Sequence, residues 1–124
     1  MPRYDVVFFE EENGAQPAKE FLLGVDVKMR AKMSNVISML SDYGHELREP
    51  YSKHISDGIF ELRAKVGSNI SRVLFFFYVD NRIVLTNGFV KKTQKTPAAE
   101  IMKAKRYRAE YLQKEGKDRS EQQV

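Results

Sequence analysis

The chain contains no cysteine and only two histidines, His45 and His54. The first absence removes disulfides, thiolate nucleophiles and Cys-ligated zinc or iron-sulfur centres; the second leaves too few soft donors for a metal centre, so neither a metal nor a cofactor is expected. No apolar run approaches the ~20 residues of a membrane span. The opening MPRYDVVFFEEENG has too short an apolar core for a secretory leader. These readings point to a cytoplasmic protein with no membrane partner. Internal repeats and low-complexity blocks are also lacking.

What is present fits one domain. A chain of 124 residues has room for a single hydrophobic core and none for a second. Lys and Arg number 21 against 17 Asp and Glu, a net charge of +4, which favours an anionic partner without identifying it.

Tyr4 to Phe9 combines β-branched and aromatic residues and runs into the acidic, Asn-Gly turn signal of Glu10 to Gly14, the pattern of a first strand. Pro17 suits the first turn of a short helix reaching Gly24, with Phe21, Leu22 and Leu23 as its buried side. Asp26 is placed to cap a second helix, in which Met29, Met33, Val36, Ile37 and Leu40 recur at helical spacing before Gly44 stops it. That stripe reads as core. Glu46 to Ser56, with Pro50 and no period, reads as loop. From Ile59 to Val66 the residues alternate, Phe60, Leu62, Ala64 and Val66 on one face and Ile59, Glu61, Arg63 and Lys65 on the other, the latter expected to be charged and solvated. Gly67 to Asn69 is a hairpin connection to a central strand, Ser71 to Val79, and Asp80-Asn81 turns the chain into a strand from Arg82 to Val90. Thr96 as N-cap and Pro97 at the first helical position open a last helix on which Ile101, Ala104, Arg108 and Tyr111 share a face. Tyr107 and Tyr111 read as packing residues.

The resulting expectation is an α+β domain over residues 1–115, a small antiparallel sheet in which the first strand joins a three-stranded meander, with two N-terminal helices and a C-terminal helix set on one face. Residues 116–124 read as a frayed tail. Arg63, Arg72, Lys91 and Lys92 come from three neighbouring strands. Guanidinium groups clamp phosphate with two prongs and lysines add point charge, so this set is suited to a polyanion. On the residues alone, an ordinary solvated face with Arg63 paired to Glu61 or another carboxylate is the preferred reading of this pattern.

GIFELR at Gly58 to Arg63, RVLFFFYV at Arg72 to Val79 and GFVKKTQKTP at Gly88 to Pro97, followed by Glu100 and Ala104, resemble the RelE/ParE superfamily of bacterial toxins, in particular its phage-derived, HigB-like group. The resemblance spans essentially the whole chain in element order and implies a RelE-like fold. It further implies the toxin half of a type II toxin-antitoxin pair, a ribosome-dependent mRNA endonuclease held in check by a cognate antitoxin, a small helix-turn-helix protein. Metal-free cleavage is implied, with the ribose 2′-hydroxyl attacking its own adjacent phosphate. The protein then has a proton to remove, a crowded phosphorane to stabilise and a departing 5′-oxygen to protonate.

By this resemblance Arg72 stabilises the phosphate, Lys91 and Lys92 stabilise charge or protonate the leaving group, and Arg63 organises the site or contacts phosphate. Lys53, His54, Lys65 and Lys95 are the implied RNA contacts, with His54 also a candidate acid or base. The chain departs from better-known members in having Glu61 where some carry lysine, and no His or Tyr between Lys91 and Pro97. Glu61 is thus either the general base or a structural partner of Arg63 or Arg72. Two other functions share the scaffold: a ParE-like poison of DNA gyrase without nuclease activity, and a non-catalytic RNA-binding phage accessory protein.

Overall fold

The computed structural model describes residues 3–91 and 95–122, with side chains at 3–90 and 95–117. Their order is β1 (Asp5–Phe8), α1 (Pro17–Gly24), α2 (Val27–Tyr43), a 3-10 turn (Gly44–Glu46), β2 (Ser52–Ser56), β3 (Ile59–Val66), β4 (Asn69–Tyr78), β5 (Arg82–Lys91) and α3 (Ala98–Gln122). The strands form one open sheet in the order β1-β5-β4-β3-β2. The α+β class follows as expected from the sequence. Asp26 caps α2 by accepting from the Met29 amide at 2.8 Å, satisfying one of the donors a helix start leaves open. Gly44 ends α2 with φ +52°, and a Cβ there would fall 2.1 Å from Tyr4 Cε1, so the left-handed turn and the close ring both require glycine.

Four features correct the sequence reading. The segment expected as loop contains β2, paired antiparallel to β3. Its signal is the Asp57-Gly58 pair, both at positive φ, the two-residue link that matches the twist of a hairpin; the polar SKHIS hides the strand from any hydrophobic count. Secondly, β1 runs parallel to β5, so the sheet is mixed rather than antiparallel. A parallel neighbour needs a long connection, and everything between β1 and β5 supplies it.

Thirdly, the helices occupy both faces. Leu62, Ala64, Val73, Phe75, Ile83 and Leu85 pack with α1 and α2, while Ile59, Leu74, Phe76 and Val84 pack with Ala104 and Tyr107 of α3. The face of β3 expected to be solvated is therefore partly core, because β4 is apolar on both sides and its second side also needs cover. Phe9 stacks on Tyr107 with centroids 4.7 Å apart, in keeping with the packing role expected of the α3 tyrosines. Finally, α3 continues to Gln122, past Gly116 where fraying was expected. Arg82 Nη1 donates to the Tyr111 hydroxyl at 2.6 Å and lies 3.3 Å from Glu115 Oε1; burial, partly offset by that arginine, raises the Tyr111 pKa. An anchor so far along the helix lets further turns propagate at one hydrogen bond per residue.

Two comparable cores imply two comparable penalties. Phe75→Ala on the α1/α2 face and Phe76→Ala on the α3 face should each cost about 3–5 kcal/mol in urea unfolding, with an unchanged slope. A near-neutral Phe76→Ala would show that α3 does not form a true second layer.

Candidate functional site

Alternation along β3 and β4 sends Glu61, Arg63, Lys65 and Arg72 to the α3 side of the sheet. The register sets Arg63 directly opposite Arg72, and cross-strand neighbours sit about 5 Å apart at Cβ. Two guanidinium groups in that position repel one another unless a counter-ion lies between them. Glu61 is that counter-ion. Its Oε2 accepts from Arg72 Nη1 at 2.6 Å and from Arg63 Nε at 2.9 Å, while its Oε1 accepts from the Thr96 hydroxyl at 2.6 Å.

The Glu61 side chain is 0% exposed, Arg72 4% and Arg63 23%. Burial alone pushes the Glu61 carboxyl pKa up; the hydrogen bonds from Thr96, Arg63 and Arg72 outweigh it, and the net is a pKa below the ordinary glutamate value. A carboxylate so enclosed is held as the partner of both arginines, the structural role weighed for it from the sequence. Thr96, expected as the N-cap of α3, spends its hydroxyl on Glu61 instead. The start of α3 is tied to the sheet by Asn87, whose Nδ2 donates to Glu100 Oε1 at 3.0 Å. Asn87 reaches it from beyond a bulge in β5, beside Thr86, whose hydroxyl donates to the Leu74 carbonyl.

Arg63 and Arg72 form part of the lining of a cleft of about 750 Å³, together with Lys32, Tyr51, Lys53 and Lys65. β3 continues past Arg63, whose amide donates to the Tyr51 carbonyl at 2.9 Å, and the cleft opens around that stretch of the edge, with Lys32 contributed by α2. Every ionisable group that lines it other than Tyr51 is a cation. The triad of two arginines and one carboxylate retains a net positive charge, and Arg63 is its more accessible member. Arg72 Nε is buried and has no hydrogen-bond partner among the described residues, a donor whose desolvation costs about 1–3 kcal/mol if unmet.

The remaining candidates divide. Lys53 pairs with Glu61 in the strand register and Lys65 follows Arg63 on the same face, so both belong to the cleft. His54 pairs with Phe60, on the opposite face of the sheet, and its Nε2 accepts from the Gly58 amide at 3.2 Å; the geometry separates it from the arginines. Lys95 is exposed. The backbone of Lys91 pairs with Ile70, and Lys92 lies outside the described residues. Sequence reasoning missed Lys32 and Tyr51. Lys32 carries no local signal, being one exposed lysine on a helix; Tyr51 beside Pro50 was hidden in the supposed loop. Among the described residues no group of three or more His, Asp or Glu is placed to hold a metal ion, and no helix is long and apolar enough to cross a membrane.

A mixed sheet layered on both faces, with a cationic cleft beside the edge of β3, defines a small α+β domain. Residues 20–109, more than half of the chain and spanning both layers and the cleft, match the family described as Phage derived protein Gp49-like (DUF891), and the protein belongs to that family. No curated protein matches the chain.

The lowered Glu61 pKa fixes the sign of a pH effect. A carboxylate with a folded value below its unfolded one stabilises fully above about 4.5, its ordinary value, and that stabilisation is lost as the pH falls through the folded value. Glu61→Gln should therefore cost about 3–5 kcal/mol near neutrality, as one partner of a buried ion cluster is removed. It should also flatten the acid limb of the stability-pH curve. An acid limb identical to that of the unmodified protein would mean that other carboxylates govern acid unfolding.

Proposed function

We propose that the protein is a toxin of a toxin-antitoxin pair, of the RelE kind and HigB-like in type, that cuts ribosome-bound mRNA and so arrests translation. The observation that carries this reading is the cleft in which Lys32, Lys53, Arg63, Lys65 and Arg72 converge beside Tyr51. Family membership and the resemblance of GIFELR, RVLFFFYV and GFVKKTQKTP to the RelE/ParE superfamily agree with it. In this reading the cleft seats an RNA phosphate. Arg63, fixed in direction through its Nε by Glu61, presents its remaining N-H groups to the phosphate, where they stabilise the extra negative charge of the pentacoordinate phosphorane. Arg72 lies beneath it as buried positive charge. Lys53, Lys65 and Lys32 attract the strand, and Tyr51 offers a ring on which a neighbouring base can stack.

The proton transfers belong to groups other than Glu61. Alignment of the 2′-oxygen with the scissile bond is assigned to the ribosome, since correct positioning supplies much of the acceleration in such an intramolecular attack. The cytoplasm is the compartment this target requires. An acidic antitoxin is the natural neutraliser, for it covers the same cations.

Expression without antitoxin should arrest growth, with cuts in translated mRNA mapped by primer extension. Arg63→Ala should reduce cleavage at least about 100-fold, the usual loss when a donor to a developing oxyanion is removed, with its urea midpoint much less changed than that of Glu61→Gln. Arg63 is a cleaner probe than Arg72, whose removal disrupts a buried ion pair as well as the cleft. Intact transcripts during arrest would reject the nuclease reading, and gyrase-linked DNA breaks in their place would establish the ParE-like alternative.

A further inference from the structure

A second groove, of about 530 Å³, lies across β2 from the cationic cleft, with His45, Arg48, Glu49, Lys53, His54 and Phe60 in its lining. Its floor is aromatic. The His54 ring meets Phe60 edge-on at 5.1 Å, Phe60 meets Phe77 edge-on at 5.1 Å, and His45 lies flat on Phe77 at 3.5 Å with its edge toward Phe60. His45 and His54 are both exposed and Phe60 is half-buried. The bond from the Gly58 amide to His54 Nε2 holds that ring in place. Rings fixed on a sheet surface lose little freedom when a flat partner lands on them, and a nucleobase is such a partner, apolar on its faces and polar at its edges.

Lys53 lines both cavities. It sits at the edge strand of the sheet, where successive residues face opposite ways, so the route from the cleft to the groove is a single step over β2. Arg48 and Lys53 provide cations for a phosphate linking nucleotides on the two sides, and Glu49 lies 4.0 Å from Lys53. An acidic peptide would find fewer cations in this groove than in the cleft; a nucleotide fits the mixture of rings and paired charge.

We infer that the groove stacks a base of the same RNA strand whose phosphate occupies the cationic cleft, so that the strand wraps the β2 edge. This inference rests on the RNA reading of the cleft. It assigns His45, His54 and Phe60 to gripping a flanking nucleotide, with no part in proton transfer.

The test uses fluorescence anisotropy with the full chain and a single-stranded heptanucleotide RNA, together with a set of heptanucleotides in which one abasic position is walked along the strand. Unmodified protein should lose about tenfold in affinity when one particular base is missing, the usual worth of a stacked base, and His54→Ala should show the same loss with the complete strand and none further with the abasic one. His45→Ala, checked alongside by its urea midpoint, should act in the same direction. Free mononucleotides should not compete. If His54→Ala and His45→Ala bind every strand like the unmodified protein while ribosomal mRNA is still cut, the groove assignment is wrong and the cleft reading stands. If His54→Ala binds normally but no longer cuts, the imidazole serves chemistry and stacking is overturned. If the unmodified protein neither binds the heptanucleotide nor cuts mRNA, both readings fall.

Discussion

The buried carboxylate of Glu61 is the constraint on which the rest of the site depends. Among the described residues it is the carboxylate that lets Arg63 and Arg72 face each other across neighbouring strands, and through Thr96 it ties the segment leading into α3 to the middle of the sheet. A buried charge is tolerated when its partners and hydrogen bonds are complete, and three short bonds from three parts of the chain complete this one. The same bonds lower its basicity. Its bond to Arg63 Nε also fixes the direction of that guanidinium.

How the sheet is covered decides where that guanidinium can act. α3 shields the end of the second face that carries Ile59, Leu74, Phe76 and Val84, whereas the other end, toward the β3-β4 hairpin, carries Arg63, Lys65 and Arg72 and borders the cleft. One sheet face is therefore core at one end and cationic surface at the other. The transition falls at Glu61, where the alternating pattern changes from apolar to charged. Docking of α3 through Tyr107, Tyr111 and Arg108, the last donating to the carbonyl and carboxylate of Asp57, fixes the same β2-β3 hairpin that brings Lys53 to the cleft.

Much of this was legible in the chain. The cap at Asp26, the stop at Gly44 and the limits of β3 are local chemistry, and local chemistry is written residue by residue. What escaped was non-local. The parallel pairing of β1 with β5 depends on which edge of the sheet remains open. The second layer depends on β4 being apolar on both faces, which reads as a central strand without saying what covers it. β2 was lost because an edge strand with one face in water has little hydrophobic signature, although Asp57-Gly58 marked its turn. In the site, the cluster of Arg63 and Arg72 followed from a hairpin across Gly67 to Asn69, and the sequence reading already weighed Glu61 as their partner. The separation of His54 from that cluster turns on strand parity in β2, which a loop has none of; Lys32 enters only through the packing of α2 at the sheet edge.

Seating of an RNA phosphate in the cleft organised by Glu61, as proposed, is open to arginine side-chain NMR. With ¹⁵N-labelled protein, titration of a single-stranded RNA should move the Nε-H resonances of Arg63 and Arg72 together, in a salt-sensitive manner, while that of Arg30, hydrogen-bonded to backbone carbonyls at the α1-α2 junction, stays in place. Binding that leaves both cleft resonances unmoved would contradict the account.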